Sequence, residues 1–104
     1  LFFYGISISQ WIQFLPKQID NALEKVIKLR GVYFTHKHSE HHSIGVIAQE
    51  VQNVLPEVVV GNRDDGFLGV AYGNIVALLI EAVKDLSKEN KELQKQVQLL
   101  SNKE

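Results

Sequence analysis

The chain has 104 residues, a formal net charge of −1 and no cysteine. That length holds one small domain with a modest core. The lack of a basic bias argues against nucleic acid as a partner, and without cysteine neither a disulfide framework nor a thiolate metal site can form.

There is no methionine, position 1 included, so the chain reads as a piece of something longer. Its first fifteen residues are strongly apolar, with Leu1, Phe2, Phe3, Tyr4, Ile6, Ile8, Trp11, Ile12, Phe14 and Leu15. They fall short of the roughly 20 residues that cross a bilayer, and they lack the basic leader and small-residue cleavage site of a signal peptide. Weak alternation between Tyr4 and Ser9 predicts a strand or extended arm ending at Pro16, and no membrane partner is expected.

Asn21-Ala22-Leu23-Glu24 has the form of a capping box, with Asn21 as N-cap and Glu24 reaching back. Leu23, Val26, Ile27 and Arg30 share one helical face and Gly31 supplies a stop, which predicts a helix over about 20–30. Val32-Tyr33-Phe34-Thr35, β-branched and aromatic, predicts a strand. His36, His38, His41 and His42 form a polar loop after it. Four imidazoles at this density can bind zinc or nickel. Lys37 stands among them, however, so a solvated loop is expected, with a pH-sensitive surface as the weaker alternative and no metal site. Ile47, Val51, Val54 and Leu55 then mark a second short amphipathic helix that Pro56 ends. Val58-Val59-Val60 and Phe67-Leu68-Gly69-Val70 predict a hairpin around the turn formers of 61–66. Asp64-Asp65-Gly66 has part of a calcium loop's pattern but lacks the other ligands, so it reads as a turn.

Tyr72 and Gly73 lead into the last helix, which carries a seven-residue repeat. Val76, Val83, Asn90 and Val97 occupy a positions, and Leu79, Leu86, Leu93 and Leu100 occupy d positions. Its first half is apolar almost all round and is expected to be buried in the globular part. The second half is apolar only on the seam and is expected to project as a coiled coil. Such a stripe needs other copies or a partner helix. Asn90 within it is of the kind that fixes register.

Several runs resemble one family: Leu23-Glu24-Lys25-Val26 with Arg30-Gly31-Val32-Tyr33-Phe34, then Gly45, Ile47, Ala48, Gln49, Glu50, Val51, Leu55, Pro56 and Glu57, and then Gly69-Val70-Ala71-Tyr72 ahead of Leu78-Leu79-Ile80-Glu81-Ala82-Val83. It is the C-terminal intramolecular chaperone domain of phage endosialidases, tail spikes and tail or neck fibres, also classed as a self-cleaving serine peptidase. The resemblance covers about 19–100. It implies a homotrimer that sets the register of an upstream β-rich fibre domain of the same precursor. It also implies release by autoproteolysis, no cofactor, and a viral protein made in the host bacterial cytoplasm that becomes attached to or released from the virion fibre.

The family's chemistry uses a serine followed by aspartate, with a lysine five residues after the serine. Aligned backward from Ile19, those positions fall near Ile8 and Gln13, so the motif is not intact. The nearest substitutes are Ser9 and Lys17, eight residues apart, with Ser7 further off, and no aspartate follows either serine. They read as surface hydroxyls and a solvated charge; if any residual catalysis exists, Ser9 with Lys17 is preferred over Ser7, because Ser9 lies one residue from the family's serine position. Gln49 and Glu50 read either as the outer face of the second helix or as groups serving trimer contacts or the cleavage site.

The expected fold is α+β, a small globular part of short helices and strands followed by a long C-terminal helix in a trimeric coiled coil. Residues 1–18 are expected to be an apolar arm or linker outside the family resemblance, 19–83 the globular part and 84–104 the coiled-coil tail. The expected function is a trimerising intramolecular chaperone. The alternatives are an uncleaved coiled-coil adaptor, or the same module in a membrane-bound transcription-factor precursor.

Overall fold

The computed structural model of the protein describes residues 16–62 and 67–103. The apolar stretch 1–15, with Ser7 and Ser9, lies outside the described residues. So do 63–66, which hold Asp64 and Asp65. In chain order the elements are α1 (Ala22–Val26), β1 (Val32–Thr35), β2 (His42–Gly45), α2 (Ala48–Val54), a 3₁₀ turn (Pro56–Val58), β3 (Val59–Asn62), β4 (Phe67–Val70) and α3 (Tyr72–Asn102). This is the α+β arrangement of short elements ahead of one long helix.

The strands form two separate antiparallel hairpins. In the first, Tyr33 stands opposite Ile44 and Thr35 opposite His42. In the second, Val59 stands opposite Val70 and Gly61 opposite Leu68. Strand β2 was not anticipated from the residues, because it points Ser43 and Gly45 inward and its one large apolar side chain, Ile44, outward. Gly61 has φ 109, and a Cβ there would strike the Phe67 carbonyl oxygen, so the bend beside the second turn requires glycine.

Helix α2 ends where expected. Leu55, just before Pro56, leaves the helical region (φ −144, ψ 72), as expected of a residue that proline keeps from the α conformation. Val51 and Leu55 point inward and join Val58, Ile75, Leu78, Ala22 and Ala82 in one buried cluster. The Ala71 N–H donates to the Val58 carbonyl (2.8 Å), tying the start of α3 to the 3₁₀ turn.

Two expectations are corrected. Helix α1 is one turn and a half rather than ten residues, and its capping box does not form. Asn21 occupies the N-cap position in the left-handed region (φ 52), which Asn tolerates, and its side chain makes no capping bond. The carboxylate of Asp85 on α3 takes that place and accepts from the Leu23 N–H at 3.3 Å. The first half of α3 is also not buried all round. Ile75, Leu78 and Ala82 are buried, whereas Val76, Leu79, Ile80 and Val83 stay exposed. The globular part is too small to wrap a helix and covers only one flank of it.

Candidate assembly surface

The flank of α3 that meets the core and the flank that carries the heptad seam are different faces. Ile75, Leu78 and Ala82, followed by Asp85, sit at the g and c positions of the repeat. Their neighbours at a and d lie outside the core. Val76, Leu79, Val83, Leu86, Leu93, Val97 and Leu100 are 43 to 64% exposed, and Asn90 among them is exposed as well. Positions 76 to 100 extend about 36 Å along the helix at 1.5 Å per residue. Among the described residues these side chains form one apolar stripe, interrupted at Asn90, that lies outside the core of its own chain.

Helix α1 is held on the g/c flank by polar contacts around the buried alanines. Gln18 Nε2 donates to Glu81 Oε1 at 3.5 Å, and Asp85 accepts from the Leu23 N–H. With Gln18 beside Glu81 and Leu23 beside Asp85, α1 runs parallel to α3. Ala22 and Ala82, both buried, leave room for the two helices to approach closely.

The residues that carried the resemblance hold the globular part together. Arg30 grips Glu50 with two charge-assisted hydrogen bonds, from Nε at 2.9 Å and from Nη2 at 2.7 Å. Those bonds hold the Glu50 carboxyl below its ordinary range, against a smaller opposing effect of desolvation, and raise the Arg30 guanidinium. The pair joins α2 to the segment after α1, so Glu50 is occupied within its own chain. Gln49 is exposed beside it. Gly45 is buried because Tyr72, the first residue of α3, crosses directly over it. A Cβ at Gly45 would stand 2.5 Å from Tyr72 Oη and 3.2 Å from Phe34 Cε1. That phenol oxygen accepts from the Val46 N–H at 3.1 Å. Tyr72, Phe34, Val46, Ile47, Ala48 and Gln49 line one shallow cleft with β4. Pro56 and Glu57 are exposed at the 3₁₀ turn.

Of the catalytic pair, Ser9 lies outside the described residues, and Lys17 is an exposed side chain ahead of α1. In the histidine loop, His42 Nδ1 pairs with Thr35 Oγ1 at 2.9 Å and the His36 ring packs edge-on against Phe34. Among the described residues, no three His, Asp or Glu side chains gather as a metal-ligand group. No described helix is long and apolar enough to cross a membrane.

Residues 14–60 match the family described as Chaperone of endosialidase. The matched span contains α1, the first hairpin, α2 and the Gly45-to-Glu57 run, and it stops short of the seam. The chain is 41% identical over 86 residues to the long tail fiber protein Gp37 of Enterobacteria phage K3 and equally to that of phage T2. It is 37% identical over 87 residues to the protein of the same name from phage M1. The chain belongs to the endosialidase-chaperone family. These alignments take in 75% of the chain for K3 and T2 and 74% for M1, but only 7%, 6% and 34% of the respective relatives. The chain therefore spans a small part of the fibre proteins it matches. Within the matched span, Arg30, Glu50 and Gly45 serve the architecture of this chain, through the Arg30–Glu50 pair and the close approach of Tyr72 to Gly45.

Proposed function

We propose that this chain is the trimerising intramolecular chaperone of a phage tail-fibre protein. Three copies join in parallel through Val76, Leu79, Val83, Leu86, Asn90, Leu93, Val97 and Leu100, and the globular part, 19–83, sits around the top of that bundle. The observation that supports this is the apolar stripe along α3, separate from the core and exposed among the described residues of the single chain. Relatives that are long tail fiber proteins supply the client, an upstream β-rich fibre domain. The product is then a viral protein made in the host bacterial cytoplasm and destined for the virion fibre.

The energetics suit an assembler. Burying one Leu or Val side chain fully is worth about 1.5–3 kcal/mol. Seven apolar seam residues, each already about half covered, yield on the order of 5–10 kcal/mol per chain. That is comparable with the roughly 4–15 kcal/mol of freedom lost on association. Joining is therefore sensitive to concentration, and it takes hold as nascent chains meet. A coiled coil forms from local contacts, whereas an intertwined β fibre depends on distant ones and exposes strand edges meanwhile. Once three helices are zipped, the attached fibre chains are parallel, close and in register. Asn90 supports the register, since a buried polar a position penalises slipped pairings.

The family's peptidase step is a lesser part of the proposal. Ile8 and Gln13 stand where the resemblance asks for Ser and Lys, and neither side chain supplies a nucleophile or a base. Assembly is the chain's principal activity, with slow or absent release.

Light scattering of the purified chain at micromolar concentration is expected to give the mass of three chains. A mass of one or two chains overturns the trimer. Fused behind a β-rich fibre domain, the intact chain is expected to yield soluble trimeric fibre. Equal yield after removal of 84–104 overturns the chaperone role.

A further inference from the structure

The groove beside the seam gathers carboxylates around an exposed apolar side chain, and only one of them, Asp85, has a role within its own chain described above. It lies between α1 and α3 and is lined by Asn21, Leu23, Glu24, Ile27, Asp85 and Glu89. Ile27 is 72% exposed in it, and three carboxylates surround that apolar patch. The opposite flank of α3, at the e and b positions, carries Ile80, Lys84, Ser87 and Lys91. One flank is acidic and apolar, and the other is basic and apolar.

Helical geometry places these flanks against each other. At about 100° per residue, the g/c flank that holds α1 lies about 110° around α3 from the middle of the seam. In a three-fold parallel bundle, each neighbour stands about 30° to one side of the seam's middle. With interaxial distances near 10 Å, α1 then lies about 13 Å from the neighbouring α3 in a trimer, against about 16 Å in a dimer. In a parallel coiled coil the g side of each helix faces the e side of the next. Along the axis Gln18 is level with Glu81 and Leu23 with Asp85, so Ile27 is level with Glu89. The neighbouring copy therefore presents Ser87 to Ile27, with Lys84 and Lys91 on either side.

We infer that the acidic groove between α1 and α3 is a second inter-copy docking site, which receives the Lys84–Ser87–Lys91 flank of the next copy of this chain. It rests on the trimer proposed above and deepens it. Opposite charges meet in it, with Glu24, Asp85 and Glu89 on one side and Lys84 and Lys91 on the other. The site is continuous with the seam, and three repeats of it close the ring. It also resolves a conflict in the sequence. Val at a with Leu at d favours two strands in isolated coiled coils, but only the three-fold arrangement brings α1 within side-chain reach of the neighbour.

The chain has no cysteine, which permits a direct test. The double variant Ile27→Cys/Ser87→Cys is treated with a short bismaleimide and run on a denaturing gel, while light scattering reports its mass. Within one chain the two positions lie on opposite flanks of α3, so linkage within a chain is disfavoured. Covalent two- and three-chain bands are expected from a three-chain particle. The control Ile27→Cys/Lys88→Cys, whose second site faces outward, is expected to stay at one chain. A second pair, Glu24→Cys/Ser87→Cys, guards against a local failure at Ile27. A three-chain mass with only one-chain bands from both test pairs overturns the docking site and leaves the seam standing. A one- or two-chain mass for the untreated wild type overturns the trimer and this inference with it.

Discussion

A methyl group on Gly45 would meet the Tyr72 oxygen and the Phe34 ring at once. Gly45→Ala must therefore push aside the first residue of α3 or lose the Val46–Tyr72 hydrogen bond. Overpacking of this kind costs about 1–3 kcal/mol, so a lower denaturant midpoint is expected. An unchanged midpoint would show that Tyr72 moves freely. The Arg30–Glu50 pair has a pH signature. Bonding to Arg30 depresses the Glu50 carboxyl in the folded chain. Its stabilising effect is thus present above the ordinary carboxylate range and is lost as pH falls through the lowered value. Glu50→Gln is expected to melt below the wild type at neutral pH and to converge with it in acid. A gap that persists at low pH would contradict that assignment. At the N-terminal side, the chain fused behind a fibre domain is expected to show little or no self-cleavage. Efficient cutting, abolished by both Ser9→Ala and Lys17→Ala, would establish an active autoprotease.

At the scale of elements, α1 is too short to stand alone, since isolated helices below about 12–15 residues are marginal in water. It persists because Ala22 is buried and because Asp85 satisfies a free N–H at its first turn. Loss of such a cap costs about 0.5–2 kcal/mol. Asp85→Ala is expected to lower stability by about that amount and to speed amide exchange in 22–26 well before it affects α2. Uniform acceleration across both helices would mean that α1 is not a separately held element. The hairpins show a different economy. Tyr33 and Ile44 are paired across the first one and are both exposed. The inward side of that hairpin is built from Phe34, Val32 and the Gly45 that admits Tyr72.

For the whole molecule, α3 carries two apolar faces. One closes the core of its own chain through Ile75, Leu78 and Ala82, and the other holds the exposed heptad stripe that the proposed trimer would bury. Leu93 belongs to the second alone, since no part of the globular region covers it. Leu93→Asp would place an unpaired carboxylate in the seam of every copy, at a cost of several kcal/mol per site. It is expected to give single chains in light scattering while the far-ultraviolet signature of the globular part persists. Lys95→Asp, at the outermost position of the repeat, is expected to leave the assembly unchanged. Equal effects from the two would show that the heptad assignment is misplaced.

The sequence by itself determined the long helix with its seven-residue spacing, α2 with its proline stop, the second hairpin and the family. Those features are written in local spacing: a period of seven, an i, i+4, i+7 pattern, and turn residues between β-branched runs. Strand β2 was not legible because its apolar residue faces outward and its inward residue is a glycine. The cap on α1 was not legible either, because Asp85 comes from a distant part of the chain and Asn21 is a better local candidate. Glu50 and Gly45 stood out only through the family resemblance, and tertiary contacts show what each touches. Only the tertiary structure decided which face of the apolar half of α3 the globular part covers. Periodicity marks which residues are apolar, but the allotment of each to its own core or to another copy depends on what packs where. Here a small globular part covers one flank and leaves the seam uncovered.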